Sequence, residues 1–411
     1  MEIRPILSAL LRSKTGAILV AVQVALSLAI LTNALHIVNL RLAVTARPTG
    51  IVAESDIFHV QVRNLKAGGH NEQLASQRAQ AATLRAVPGV VSVAQTSQVP
   101  LSRSGSYNSV SVDRKQDKQS GMTAFYVSPD SLVKTWGLKL VEGRDFNAAD
   151  LIEIDENTSK DYPAVAQITR ALGEKVWPGA TSFVGKTLLM GVGSEAKAVR
   201  VVGVIERLQS PGAQLDSDGD TSSIVPVRLT GDRSVMFTVR AEAGQRDRVL
   251  KEAEAALRRA GNNQVVVKTK TLEEDRTERY RADVGLAWML ITVSALLLLI
   301  TASGIVGMAS LWVTQRRKQI GVRRALGARR LDIVRYFITE NIMITSVGVT
   351  AGVLLALALN QLLVSQLEMA RLPAGYLLAG AGVFWALGIV AVYGPAWRAA
   401  SISPAMATRS A

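Results

Sequence analysis

The densest set of chemically active side chains in this 411-residue chain is the stretch 315–330, with seven Lys/Arg and no acid. Guanidinium and ammonium groups at that density recognise carboxylates, phosphates or lipid headgroups. The stretch lies between two long apolar segments. It therefore reads as a cytoplasmic loop, because short Lys/Arg-rich loops stay on the cytoplasmic side of a membrane. The step from Leu326 to Gly327 predicts a short helix ended by a left-handed glycine cap. A capped cationic helix at that face would dock a cytoplasmic partner. The plainer alternative is a topology determinant and nothing more.

Other groupings carry less chemistry. Gly179, Gly185, Lys186 and Thr187 imitate a phosphate-binding P-loop, which needs four residues between its glycines and a strand before it. Here five residues intervene, and Trp177 and Pro178 precede them. A turn at Pro178 and Gly179 is the expectation. No other segment supplies a P-loop, so the chain is not expected to hydrolyse ATP itself. Asp145, Asp150, Glu153, Asp155 and Glu156 cluster without the spacing of a calcium loop and read as a solvated loop. His36, His59 and His70 lack metal-ligand spacing. The absence of cysteine excludes disulfides, thiol catalysis and cysteine-held metals. With no set of nucleophile, base and orienting group, a non-catalytic chain holding no cofactor of its own is expected.

The elements that must position the basic stretch are membrane spans. The chain is 48% hydrophobic, in blocks, and its formal charge is +14. Much of that charge sits in 316–335, where eight Lys/Arg face one acid, Asp332. The basicity is thus a topology signal and a contact to membrane lipids, not a nucleic-acid surface. Apolar runs at 17–35, 284–313, 338–364 and 376–393 can each cross about 30 Å of hydrocarbon. The first follows Arg12 and Lys14 and reads as an anchor; a cleaved signal peptide is the competing reading. The outer loop near Glu368 and Arg371 is short. Both termini would lie inside.

Between spans one and two, 45–280 reads as an extracytoplasmic α+β domain. Residues 56–62, 90–99, 235–241 and 265–269 have strand patterns, with helices at 73–86 and 246–260 and a turn at Gly261, Asn262 and Asn263. Two such β-α-β units would close one subdomain. A mainly-β subdomain with strands such as 198–204 would be inserted at about 129–210. Residues 209–220 read as a loop. Thr271 and Glu274 have the spacing of a capping box. They would start a stalk helix through Arg276, Arg279 and Arg281 into the second span. The organisation expected is 1–44 for the cytoplasmic N-terminus and first span, 45–280 for the outer domain, and 281–314 for the stalk end and second span. The cytoplasmic helix and loop follow at 315–336, then spans at 337–365 and 376–394 and a tail at 395–411. Asn33, His36 and Asn39 recur at threes on one face of span one, a pattern for hydrogen bonds between helices. Gly348 and Gly352 form a small-xxx-small pair in span three, suited to close helix packing or dimerisation; Gly380 and Gly382 lie in span four.

In this order the motifs resemble the MacB/FtsX-type permease subunits of ABC transporters. The resemblance is strongest at 316–332, with basic residues, then Ile320-Gly321, then Arg323 to Gly327. It continues in the terminal Pro395, Ala396, Ala399, Ala400, Pro404 and Ala405, and at 127–130, 137–140, 142–144, 178–179, 184–186 and 201–204. Gln319 and Met406 stand where the family usually has Glu. The resemblance implies a bacterial inner-membrane permease that works by mechanotransmission. Residues 315–327 would form a coupling helix in a groove of a cytoplasmic ATPase dimer, which would hold the ATP and Mg. Ile320 and Leu326 would give apolar contact, and Arg323 and Arg324 would meet carboxylates, beside Gln319 and Gly327. A second permease copy, identical or related, is implied, and a periplasmic adaptor and outer-membrane duct are compatible with the larger outer domain. The alternative is an FtsX-like regulator that activates an envelope enzyme and transports nothing. A receptor signalling inward is disfavoured, because no cytoplasmic effector segment is present.

Overall fold

The computed structural model describes residues 14–66, 68–103, 105–116, 118–213, 217–261, 265–367 and 370–401. Arg12, Asn262, Asn263, Glu368, Met406 and the tail beyond 401 lie outside the described residues, as do 214–216 of the 209–220 loop. The α-helices of the described residues are α1 (Lys14–Thr45), α2 (His70–Arg85), α3 (Leu132–Trp136), α4 (Arg170–Val176), α5 (Arg246–Ala260), α6 (Leu272–Gln315), α7 (Arg317–Ala325), α8 (Arg330–Leu367) and α9 (Ala374–Ala400). The strands are β1 (Ile57–Asn64), β2 (Val90–Thr96), β3 (Tyr107–Ser111), β4 (Gly121–Val127), β5 (Leu140–Gly143), β6 (Ile152–Asp155), β7 (Val165–Thr169), β8 (Thr187–Met190), β9 (Lys197–Ile205), β10 (Ser222–Val225), β11 (Val227–Thr230), β12 (Ser234–Ala241) and β13 (Val265–Thr271). The chain divides into one unit of Val44–Ala282 and another formed by the residues up to Ala43 and from Asp283 onward.

In the second of these, α1, α6, α8 and α9 are each long and apolar enough to cross a membrane. Helix α1 is the central one: 56% of its apolar window is buried, against 17% in α6. Small residues on its neighbours allow this. A Cβ added at Gly348 would stand 2.8 Å from the Ala21 carbonyl oxygen, and one at Gly380 would stand 2.7 Å from Thr32 Cγ2. Lipid tails are as apolar as leucine, so close packing and hydrogen bonds between helices, not water exclusion, hold such a bundle. Ser27 shares a 2.9 Å hydrogen bond with Thr301, and Gln23 donates to the Ile300 carbonyl at 3.1 Å. The polar face at threes behaves in the same way. Asn33 donates to the Ala356 carbonyl at 3.2 Å, and Asn39 donates to the Tyr376 hydroxyl at 2.7 Å. His36 Nε2 lies 3.3 Å from the Ala370 carbonyl oxygen.

Val44–Ala282 is built from a sheet of order β13-β1-β12-β2, antiparallel throughout. Helices α2 and α5 cover one face, burying Leu84, Val249 and Leu257 over Val60, Val62 and Phe237. The connectivity is a split pair of β-α-β units. Between β2 and β12 the chain makes a closed sheet in the order β9-β7-β10-β4-β3-β8 and back to β9, with β5 on the far half of β9. This β-barrel subdomain draws its strands from 107–225, on both sides of 129–210. Its core includes Val110, Ile168, Leu188, Val199 and Val204. A further buried cluster joins sheet and barrel: Trp136 is fully enclosed, and its indole N–H donates to Thr238 at 2.8 Å.

Helix α6 begins as the Thr271 and Glu274 spacing requires. The Glu274 N–H donates to Thr271 Oγ1 at 3.1 Å, and the Thr271 N–H donates to the Glu274 carboxylate at 2.7 Å. Three acids in the first turn, Glu273, Glu274 and Asp275, complement the helix dipole. The T271A variant is expected to lose about 1 kcal/mol of cap stabilisation. Hydrogen exchange over 272–276 should then be about fivefold faster, and an unchanged rate would mean that the cap carries no weight.

Candidate functional site

The basic stretch forms α7, nine residues long. Its C-terminal end is a Schellman motif: Ala328 N–H donates to the Arg323 carbonyl at 3.1 Å and Gly327 N–H to the Arg324 carbonyl at 3.2 Å. Gly327 has φ +94°, the left-handed region expected of it. Burial divides the residues of this helix. Ile320 is only 5% exposed and shares a buried cluster with Ile333, Phe337 and Ala396. Leu326 is 83% exposed and Val322 52%. Gln319 is exposed, Arg324 is half-buried, and Arg323 lies over the Tyr336 ring at 4.9 Å. The outward row is therefore Gln319, Val322 and Leu326, three and four residues apart on one face. Ile320 anchors the helix from beneath.

Two residues outside the basic pattern of α7 complete its seating. Arg316 Nη1 donates to both carboxylate oxygens of Glu340 at 2.9 and 2.8 Å, and Glu340 is 1% exposed. Tyr336 lies one turn before Glu340 on α8. The signal for this pair was present in the chain: Glu340 is the one acid within an apolar run that directly follows a stretch rich in guanidinium groups.

At the other end of α6 the stalk residues have specific partners. Arg276 holds Glu54 with Nη2 at 2.9 Å from both oxygens, and Nη1 donates to the Thr45 carbonyl at 3.0 Å and the Arg47 carbonyl at 3.3 Å. One guanidinium thus fastens the end of α1 and the following segment to the base of α6. Arg279 donates to the carbonyls of Gly212 at 2.7 Å and Ala213 at 3.2 Å. Beside them Asp275, 2% exposed, bridges His59 and Lys270 at 2.7 Å each. Burial alone would lower the Lys270 ammonium, but hydrogen bonds to Asp275 and Glu278 outweigh it and hold its pKa above the ordinary lysine value. Gly348 and Gly352 lie against α1 at Ala21, Val24, Ala25 and Leu28.

The remaining motifs stay apart from these sites. Before Gly179 stands a helix, α4, and after Lys186 a strand, β8, the reverse of a P-loop's order. Asp145, Asp150, Glu153 and Asp155 of this group accept hydrogen bonds within the domain, and Glu156 is exposed. Asp150 pairs with Arg144 at 2.6 Å, and that hydrogen bond holds its carboxyl below the usual range. Glu153 pairs with Arg78 at 2.6 Å.

Comparison with known proteins agrees with this layout. Residues 25–271 match the MacB-like periplasmic core domain, and residues 291–404 match the FtsX-like permease C-terminal. The chain is similar to the pyoverdine export ATP-binding/permease protein PvdT of Pseudomonas savastanoi, with 30% identity over 66% of this chain and 40% of that one. It is also similar to macrolide export ATP-binding/permease proteins MacB. With that of Agrobacterium fabrum the identity is 31% over 65% of this chain and 40% of the relative; with that of Bradyrhizobium diazoefficiens it is 29% over 72% and 44%. The chain thus spans less than half the length of these relatives. The four membrane-length helices and the matched core domain describe a multi-pass inner-membrane protein with a large periplasmic domain. By both matched regions, the chain belongs to the MacB/FtsX family of permeases with a MacB-like periplasmic core domain.

Proposed function

We propose that this chain is the permease part of an ABC-type machine that works by mechanotransmission, driving export of a substrate from the periplasm. The observation that carries the reading is α6. It is one unbroken helix of 44 residues, about 66 Å of rod. Arg276 and Arg279 fasten its outer end to the periplasmic domain, and its inner end leads directly into α7. A continuous helix with a docking helix at one end and a clamp at the other would serve as a lever. The spans need not enclose a solute path. The family relatives are named for pyoverdine and macrolide export, which makes export the first reading.

Helix α7 would lie in a groove of an ATPase dimer, with Val322 and Leu326 as apolar contacts, Gln319 beside them, and Arg323 and Arg324 facing carboxylates. Gln319 removes a charge from that face, so a paired, related permease would carry the usual Glu. A second permease copy, a periplasmic adaptor and an outer-membrane duct would complete the assembly. ATP binding does work on the periplasmic domain only if the closed state makes contacts that the open state lacks.

Purification of the tagged chain from its native membranes in mild detergent, with identification of the proteins that accompany it, tests this reading. An ATPase subunit is expected. Replacing Val322 and Leu326 by Asp should weaken its binding by about 30- to 1000-fold, as for loss of interface anchors worth about 2–4 kcal/mol. Both positions are exposed, so the fold should survive; the buried Ile320 would not allow that distinction. If no ATPase accompanies the chain, the proposal fails. If an ATPase binds but no exported compound alters its rate, the regulator reading replaces export.

A further inference from the structure

Helix α7 is connected to α6 by the chain itself, and its side chains also reach α8. Arg316 occupies the non-helical residue between the two helices, with φ −102°. Its guanidinium reaches across to Glu340 on α8. A carboxylate that is 1% exposed within a membrane-length helix is tolerated only with a partner, so this contact is not an exposed ion pair that comes and goes. Tyr336 supports it twice: its hydroxyl lies 3.4 Å from Arg316 Nη1, and its ring lies under Arg323 at 4.9 Å. Ile320 adds an apolar peg in the same cluster as Ile333 and Phe337. Two and three turns along α8 from Glu340, Gly348 and Gly352 bring that helix against the backbone of α1.

We infer that Arg316 and Glu340 form a latch that makes α7 and α8 move as one body. A push on α7 would therefore be delivered through α8 to α1, in parallel with the route along α6. The two residues are positioning residues, since neither needs to touch the ATPase. The inference rests on the lever reading for its purpose, but the latch can be tested without an ATPase.

The chain has no cysteine, so labels can be placed without background. Spin labels at Leu326→Cys, the exposed residue that caps the end of α7, and at Val347→Cys, exposed on α8, would report the spacing of the two helices in the full chain in lipid nanodiscs. A narrow distance distribution is expected. It should broaden in E340Q and narrow again in the charge-swapped R316E/E340R. A distribution in E340Q as narrow as in the parent, or no recovery in the swapped pair, overturns the latch. If E340Q does not fold, R316C/E340C joined by a short bis-maleimide linker, to which each thiol adds, replaces the ion pair with a covalent one. That version should keep the narrow spacing, measured with a non-thiol label pair at the same positions, and a broad one overturns the latch.

With the ATPase that accompanies the chain, E340Q should still bind, because Gln319, Val322 and Leu326 are untouched. The permease-dependent part of ATP hydrolysis should fall by about five- to a hundred-fold, the usual range of a coupling free energy. Binding with undiminished coupling removes the latch and leaves the lever. Failure of the unaltered chain to bind any ATPase removes the lever and leaves the spin-label result to decide the latch.

Discussion

Replacing Gly352 by leucine is expected to destabilise the membrane helices by about 3 kcal/mol, at the upper end of overpacking effects, whereas the same change at Gly382 should leave them unaltered. Both are span glycines, and both would gain helix propensity as leucine. Their surroundings differ. A Cβ at Gly352 would lie 3.0 Å from both the Cα and the carbonyl oxygen of Ala25, and 2.8 Å from Leu28 Cδ2. Two of these neighbours are backbone atoms of another helix, and they cannot rotate away. The crossing must open, and with it go the dispersion contacts that a lipid environment cannot replace. At Gly382 nothing beyond its own stretch of helix lies within 4 Å of the place a Cβ would take. Unfolding of the full chain in mixed micelles with rising dodecyl sulfate, followed by tryptophan fluorescence, separates the two. Equal midpoints for G352L and G382L would refute the close crossing of α8 and α1.

The second large effect is expected at Arg276. Its guanidinium makes a forked contact with Glu54 and reaches two main-chain carbonyls. Arg276 and Glu54 are both about a quarter exposed, so water screens part of the pair. Removing one partner of a mostly buried pair costs about 3–5 kcal/mol, and the exposure reduces this to about 2 kcal/mol for R276A. Hydrogen exchange over 45–56 should then be about 30-fold faster if opening of that segment limits it. R276K should recover little, since a single ammonium cannot span a carboxylate and two carbonyls in a planar fork. If R276A leaves exchange at 45–56 unchanged, Arg276 does not fasten α1 to the stalk. If R276K restores protection fully, charge alone suffices and the fork is irrelevant.

How much of this could be read from the chain depends on the range of the interaction. The capping box at Thr271 and Glu274, the glycine-ended helix at 326–327 and the four spans are local patterns, and each recurs in the structure. The two β-α-β units were legible because strands of period two flank helices of period 3.6. The closed sheet was not. Its closure depends on β8 pairing with β9, and on β10 lying parallel to β4 about a hundred residues away. Alternation within a short strand names a buried face but not the neighbour that will cover it.

At the site, residue types in 315–330 determined that a short cationic helix would form at the inner face, and Arg276 and Arg279 were marked as stalk residues by their place after the cap. The amino-acid sequence also determined the family, through motifs that keep their order over most of the chain. Tertiary structure alone decided direction and partnership. Ile320 turns inward and Leu326 outward, although both are apolar residues of one short segment, because α8 and α9 supply a buried cluster on one side only. Glu340 keeps a carboxylate in an apolar helix because Arg316 arrives from a different element. Arg276 finds Glu54 more than two hundred residues back along the chain. The physical reason is common to all three. Propensity and capping act over one or two helical turns, whereas a buried charge or an apolar side chain is stabilised by whatever the fold brings beside it.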